Sequence, residues 1–174
     1  VSFDLNSLYP HLIMQYNISP ETLVPDCEKK DKLVDKILEG KVRNTTAHCM
    51  TPNGAYFRKD VKGFLPELME QIYNDRVKYK KLMLQAEQEY EDTKNPALLK
   101  DISKYNNIQM AKKISLNSAY GAIGNNWFRY YDLMIATAIT TAGQLSIRWI
   151  EKALNIHLNK ILDTKDVDLS LIHI

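Results

Sequence analysis

Cysteine is scarce in this chain: Cys27 and Cys49 are the only two in 174 residues, far apart and in no metal-ligand spacing. They indicate neither a disulfide framework nor a zinc site, and an intracellular (cytoplasmic) setting is the expectation. No stretch approaches the roughly 20 apolar residues that span a bilayer, and no signal peptide is visible, so no membrane partner is expected. Internal repeats and low-complexity segments are missing as well. The net charge of +2 is too small to argue for nucleic acid by itself. A further absence is local. From Ile102 to Tyr131 there is no Asp or Glu, while Lys104, Lys112, Lys113 and Arg129 all lie within that stretch. A negative ligand would meet an unopposed positive field there, although a solvated helix face explains the charge alone equally well.

What is present fits one globular domain. The hydrophobic fraction of 45% is ordinary, and 174 residues can bury a sizeable core. The chain opens on Val1 rather than Met, with Ser2 and Phe3 already reading as strand, which predicts a fragment. Val1 to Leu5 reads as a short apolar strand interrupted by Asp4. Tyr9 to Tyr16 comes next at helical spacing, with Ser7 placed to cap it. Ile18 to Glu21 reads as a turn, with Ser19 capping the segment after it. Lys29 to Lys41 is charged and predicts a short surface helix or loop. Two turn signals, Pro52-Asn53-Gly54 and Lys62-Gly63, flank Ala55-Tyr56-Phe57 and predict a hairpin between Cys49 and Phe64.

Beyond Phe64 the period changes. Leu65, Met69, Ile72, Tyr73, Val77, Tyr79, Leu82, Met83 and Ala86 form an apolar stripe, with Pro66 in the first turn, and predict a long helix to about Gln88. Glu91 to Pro96 breaks it, and a second long helix is expected from about Leu98 to Ile123, ending near Gly124. The short polar connection makes the pair an antiparallel hairpin. After Tyr131 and Asp132, Ala136 to about Leu162 reads as a third helix.

Three local features bear on chemistry. Asp4 lies inside an apolar strand, where a carboxylate is costly to bury unless a positive group meets it; an edge strand with Asp4 facing solvent is the bland alternative. Lys113, Asn117, Tyr120, Gly121 and Gly124 recur at three-to-four spacing, giving one helix face a cation, an amide, a phenol and two bare patches of backbone. Asn and Gly weaken a helix interior, so a face that accepts both is open to something flat or phosphate-bearing. A frayed end with a Gly cap explains the glycines but not Lys113 and Asn117. Arg76 and Lys80 stand one turn apart on the partner helix, so three cations are placed to converge on one anion, Arg by bidentate contact and Lys as a point charge.

On these residues the chain resembles a known family. Ser2-Phe3-Asp4-Leu5-Asn6-Ser7-Leu8-Tyr9-Pro10 is similar to the first palm motif of family B DNA polymerases, and Lys113-Ile114-Ser115-Leu116-Asn117-Ser118-Ala119-Tyr120-Gly121 to their fingers motif, K-x-x-x-N-S-x-Y-G. Asn17 to Thr22 and Asn126 to Asp132 resemble the T4-type bacteriophage branch, and the likeness runs through Ala136 to Thr141 and on to about Leu162. Two motifs in order, with a basic helix between them, make a chance match improbable.

The resemblance implies an α+β fold: part of a polymerase palm (1–64, and the helix at 126–162) with an antiparallel two-helix fingers module (65–125), leaving 163–174 as a tail. It implies a template-directed DNA polymerase, using two Mg²⁺ ions about 3.5–4 Å apart, with primer-template DNA and dNTPs as partners. A sliding clamp would be reached through parts outside this chain, and a viral protein would work in the host cytoplasm. Asp4, with the Leu5 carbonyl, is the implied metal ligand. Asp4 and Lys113 are the implied catalytic residues. Leu5, Ser7, Leu8, Tyr9, Arg76, Lys80, Lys113, Asn117, Tyr120 and Gly121 are the implied dNTP contacts, with the cations neutralising charge as pyrophosphate leaves. Tyr9 resembles the residue under the deoxyribose, whose ring clashes with a ribose 2′-hydroxyl; an aromatic after a strand is otherwise core.

The chain also departs from the pattern. His11 stands where many relatives have Ser, and the connection between the fingers helices is short. The third family motif, Y-G-D-T-D-S, does not appear after Leu162. Asp166 and Asp168 lie there instead, in surroundings that match nothing in it. With one carboxylate of the pair, the isolated chain is expected to be inactive. The competing readings are a non-catalytic nucleic-acid-binding module, in which Asp4→Asn is harmless, and another template-directed nucleotidyl transferase, against which Tyr9 is the main argument.

Overall fold

The computed structural model describes residue 5 and residues 7–27 and 33–164. The strand expected at Val1 to Leu5, with Asp4 in it, lies outside them apart from Leu5. So does the stretch holding Asp166 and Asp168.

Helix α1 (Leu8–Tyr16) buries Pro10, Leu12 and Ile13. It ends where Asn17 adopts a left-handed φ of 55°, letting the Ile18 N–H reach back to the Ile13 carbonyl at 3.0 Å. Asn tolerates this conformation better than most residues because its short side chain bonds locally. Here that side chain goes further, donating to the Arg58 and Val61 carbonyls at 2.7 and 2.8 Å and accepting the Gly63 N–H at 2.9 Å. One residue thus ends α1 and fixes the entry to the next long helix. A single turn of 3₁₀ helix (Pro20–Thr22) and a short helix α2 (Leu33–Leu38) come between them.

The predicted hairpin is present. Strands β1 (Cys49–Met50) and β2 (Tyr56–Phe57) pair antiparallel, Cys49 opposite Phe57 and Met50 opposite Tyr56. The chain before α2 runs along the other edge of β2, with Val24 N–H to Tyr56 O at 2.9 Å and Arg58 N–H to Thr22 O at 2.8 Å. Phe57 is fully buried. Asn53, in the turn, donates to the Met134 carbonyl and the Thr137 hydroxyl. The described residues are thus mostly helical, with one small two-stranded antiparallel sheet, consistent with part of an α+β fold.

Helix α3 (Phe64–Thr93) and helix α4 (Leu98–Ile123) form the expected hairpin. At 1.5 Å per residue they are about 45 and 39 Å long. Asp75 pairs with Lys112 and Tyr79 with Tyr105, so position rises on one helix as it falls on the other, and the pair is antiparallel. Gln109, Leu116 and Ile123 form the buried seam of α4 at seven-residue spacing. Helix α3 continues five residues past the expected end at Gln88, because no residue from Glu89 to Thr93 is unable to propagate it. Helix α5 (Leu133–Leu162) begins three residues earlier than expected. Asp132 accepts the Met134 and Ile135 N–H groups at 2.7 and 3.1 Å, a side-chain cap that fixes the start there.

The core joins these elements at one end of the hairpin. Ile13 and Ile18, Ala55 and Phe57, Leu65 and Met69, Leu116 and Ile123, and Ile135, Ala136, Ala138 and Ile139 belong to one buried cluster. Gly63 is required by close approach: a Cβ there would lie 2.6 Å from the Ser19 Cβ.

Candidate functional site

Two serines that the sequence marks as helix caps have other partners. Ser7 does precede α1, but its φ is 55° and its hydroxyl makes no cap bond; it accepts instead from the Arg76 guanidinium at 3.1 Å. Ser19 makes no cap bond either, and its hydroxyl donates to Glu21 at 2.6 Å. In both cases a partner distant along the chain or charged outcompetes the local backbone. The Ser7–Arg76 bond ties the segment of the first motif to α3. Arg76 is buried, so its charge is held at the base of the hairpin rather than in solvent.

His11 lies on the same seam. Its Nδ1–H donates to the Ser7 carbonyl at 2.9 Å, and its ring meets Tyr73 of α3 edge-on at 4.7 Å. The residue that departs from the family pattern therefore packs α1 against α3.

The decisive contact lies between the two motifs. The rings of Tyr9, on α1, and Tyr120, on α4, are 4.7 Å apart and tilted by 48°. Both are half-buried against the core. Burial first, and the Tyr120 phenol second, raise the Tyr9 hydroxyl above its ordinary value of 10.0, so it is a neutral donor at physiological pH.

The predicted α4 face is exposed. Lys113, Asn117 and Gly121 are solvent-facing, while Leu116 and Ile123 on the other side are buried. A Cβ at Gly121 would meet nothing within 4 Å, so the glycine leaves open space in front of the helix. On α3, Lys80 is exposed and shares an open groove with Tyr73, Arg76, Val77 and Lys81. The hairpin register puts Lys113 level with Tyr73, three residues or about 4.5 Å along the axis from Arg76 and about 10 Å from Lys80. Measured along the axis, the backbones of the three cations thus span about two turns. Neighbouring Lys112 differs from Lys113: it bonds Asp75 at 2.8 Å, and that hydrogen bond, then its charge, hold the Asp75 carboxyl below 3.8. Leu5 is half-buried.

A metal site is not assembled by these residues. No group of three or more His, Cys, Asp or Glu is placed to hold an ion among the described residues, and Asp4 lies outside them. Nor is any helix among the described residues long and apolar enough to cross a membrane.

Residues 1–170 match the family described as DNA polymerase family B. The chain belongs to that family. The match runs past Leu162, where the resemblance was expected to stop. Among family B relatives, the chain is 35% identical over 206 aligned positions to the DNA-directed DNA polymerase of Escherichia phage RB69, covering 95% of this chain and 23% of the phage protein. It is 32% identical to the DNA-directed DNA polymerase of Enterobacteria phage T4, covering 97% of this chain and 23% of the relative. Similarity extends to DNA polymerase 1 of Pyrococcus abyssi (strain GE5 / Orsay), at 30% identity over 162 positions, covering 93% and 18%. The chain spans about a quarter of the length of the phage relatives. The RB69 alignment is longer than the chain itself, so that family B relative carries stretches with no counterpart here.

The sequence had not pointed to Asn17, Asn53 or Asp132 as positioning groups. Asp132 ahead of an apolar run was a readable cap signal; the other two act across the fold and leave no local mark.

Proposed function

We propose that this chain carries the nucleotide-binding part of a template-directed DNA polymerase that adds deoxynucleotides to a primer 3′-hydroxyl. In this reading residues 1–64 and 126–162 belong to the palm, and 65–125 form the fingers. Primer-template DNA and dNTPs are the partners. Mg²⁺ is the ion the complete enzyme would use, held by Asp4 and a second carboxylate outside the described residues.

The observation that carries the proposal is the Tyr9–Tyr120 contact beside an exposed face bearing Lys113, Asn117 and Gly121. Two segments remote in sequence meet at a pair of rings, next to a helix face left bare of bulk. A flat base fits against Asn117, Tyr120 and the Gly121 backbone, and the sugar falls over Tyr9. The triphosphate then runs along the hairpin past Lys113, Arg76 and Lys80, whose spread suits an extended polyanion better than a single phosphate. As the primer oxygen bonds to the α-phosphorus and the bond to pyrophosphate breaks, these fixed cations offset the charge on the leaving group.

Lys113→Ala tests this in the complete polymerase, with Lys112→Ala as its neighbour control. A lost charged contact is worth roughly 10- to 100-fold in dNTP kcat/KM. Lys112, already engaged with Asp75, should show far less. Equal effects at the two positions, or none at Lys113, would remove Lys113 from the site.

A further inference from the structure

Tyr9 has a second neighbour besides Tyr120. Gly143, buried in the middle of α5, lies directly against its ring. A Cβ at this position would come 3.1 Å from Tyr9 Cε1, and 3.7 and 3.8 Å from Leu12 Cδ1 and Leu8 Cδ2. The ring of Tyr9 therefore touches two helices besides its own, α5 at the Gly143 backbone and α4 at Tyr120.

Conformation does not explain a glycine here. Gly143 is not among the positive-φ residues, which for glycine are Gly40 and Gly54. A glycine inside a helix weakens it relative to alanine. Space is the remaining reason, and the atom that comes nearest belongs to Tyr9.

We propose that Gly143 is a positioning residue for Tyr9, setting how deeply its ring sits and hence how much room is left for the sugar of the incoming nucleotide. This rests on the reading of Tyr9 as the residue under the deoxyribose. A methyl at 143 displaces the ring by a few tenths of an ångström away from α5. In this proposal the displaced ring yields past Tyr120 toward the exposed α4 face, and the space for a 2′-hydroxyl shrinks. The residue controlling sugar choice is thereby found on a third helix, which need not touch the nucleotide.

The test is single-nucleotide incorporation by the complete polymerase, comparing kcat/KM for dNTP and rNTP. Five variants are needed: Gly143→Ala, Tyr9→Ala, Tyr9→Phe, Gly143→Ala with Tyr9→Ala, and Gly143→Ala with Tyr9→Phe. Gly143→Ala is expected to lower rNTP use relative to dNTP by about fivefold, as a sub-ångström misplacement does at a tight contact. The same change should persist beside Tyr9→Phe, which keeps the ring, and vanish beside Tyr9→Ala. An unchanged or relaxed ratio, or the same change without the ring, overturns the proposal. If Tyr9→Ala alone leaves sugar selectivity unaltered, the assignment of Tyr9 itself fails, and the role of Gly143 falls with it. Should Gly143→Ala unfold the protein, adding Tyr9→Ala is expected to restore its melting temperature. Equal instability in both backgrounds would place the clash elsewhere and overturn the proposal.

Discussion

The two ends of the α3–α4 hairpin are built on different terms. At the root, Leu65, Met69, Leu116 and Ile123 belong to the common core, and Arg76 reaches across to Ser7. Beyond Arg76, from residue 77 to residue 108, Ala86 alone among these described residues is buried, and Val77, Leu84 and Leu99 are about half exposed. The helices there hold one another through contacts such as Tyr79–Tyr105, and the surface bears Lys78, Lys80, Lys81 and Lys104. A root fixed by burial and a tip fixed only by its partner helix make a rigid anchor with a charged arm. The cations most remote from the root are then the ones freest to move, on the part of the hairpin that opens most easily.

Truncating the root should produce the largest effect. Met69→Ala removes a side chain that is 1% exposed, and Met-to-Ala changes in cores cost about 2–5 kcal/mol. Leu84→Ala at the tip, 51% exposed, is expected to cost no more than about 0.5 kcal/mol. Urea unfolding measures both. Comparable losses would mean that the tip is buried against something else and would dissolve the contrast.

Asn17 comes next. Asn17→Ala loses three side-chain hydrogen bonds and puts a Cβ-bearing residue without a local partner at positive φ, for about 2–3 kcal/mol. Asn17→Gly loses the same bonds but relieves the backbone, so it should be milder. Hydrogen exchange sharpens the point: amides of the first turns of α3 should lose protection in Asn17→Ala, and those around residues 84–93 should not. If the tip responds equally, the hairpin is one cooperative unit.

Much of this architecture was legible because its signals are local. Pro96 and Gly124 bracket α4, and Leu98–Ile123 is where the helix lies. The hairpin turn, the antiparallel pairing and the open α4 face all derive from spacing and from Gly and Asn positions. Ser7 and Ser19 misled because a cap is decided by competition: an arginine 69 positions away or a carboxylate two away took the hydroxyl. The convergence of three cations rests on spacing along each helix separately. Register between helices, which the sequence does not encode locally, sets their backbones about two turns apart along the axis. Gly143 left no signal, since only the ring folded against it gives the missing side chain a meaning.

Glu21 offers the smallest effect and a test by pH. Its carboxylate accepts the Ser19 hydroxyl at 2.6 Å and the Phe64 N–H, at the first residue of α3, at 2.5 Å. Partial burial pushes its pKa up, but these bonds, first Ser19 and then Phe64, win and leave it below 4.5. A carboxyl depressed in the folded state contributes stability that is complete above its unfolded value and disappears as pH falls through the folded value. Glu21→Gln should therefore be slightly less stable than the parent at pH 7, and the gap should close as pH falls from above 4.5 through the lowered folded value, below which both side chains are neutral. At the tip, Glu91→Gln breaks a solvent-exposed pair with Lys94 and should leave stability at pH 7 nearly unchanged. A gap at Glu21 that persists in acid would mean the side chain acts by packing rather than by charge. The anchor would then rest on burial and on the Asn17 and Arg76 bonds, without help from a carboxylate at the start of α3.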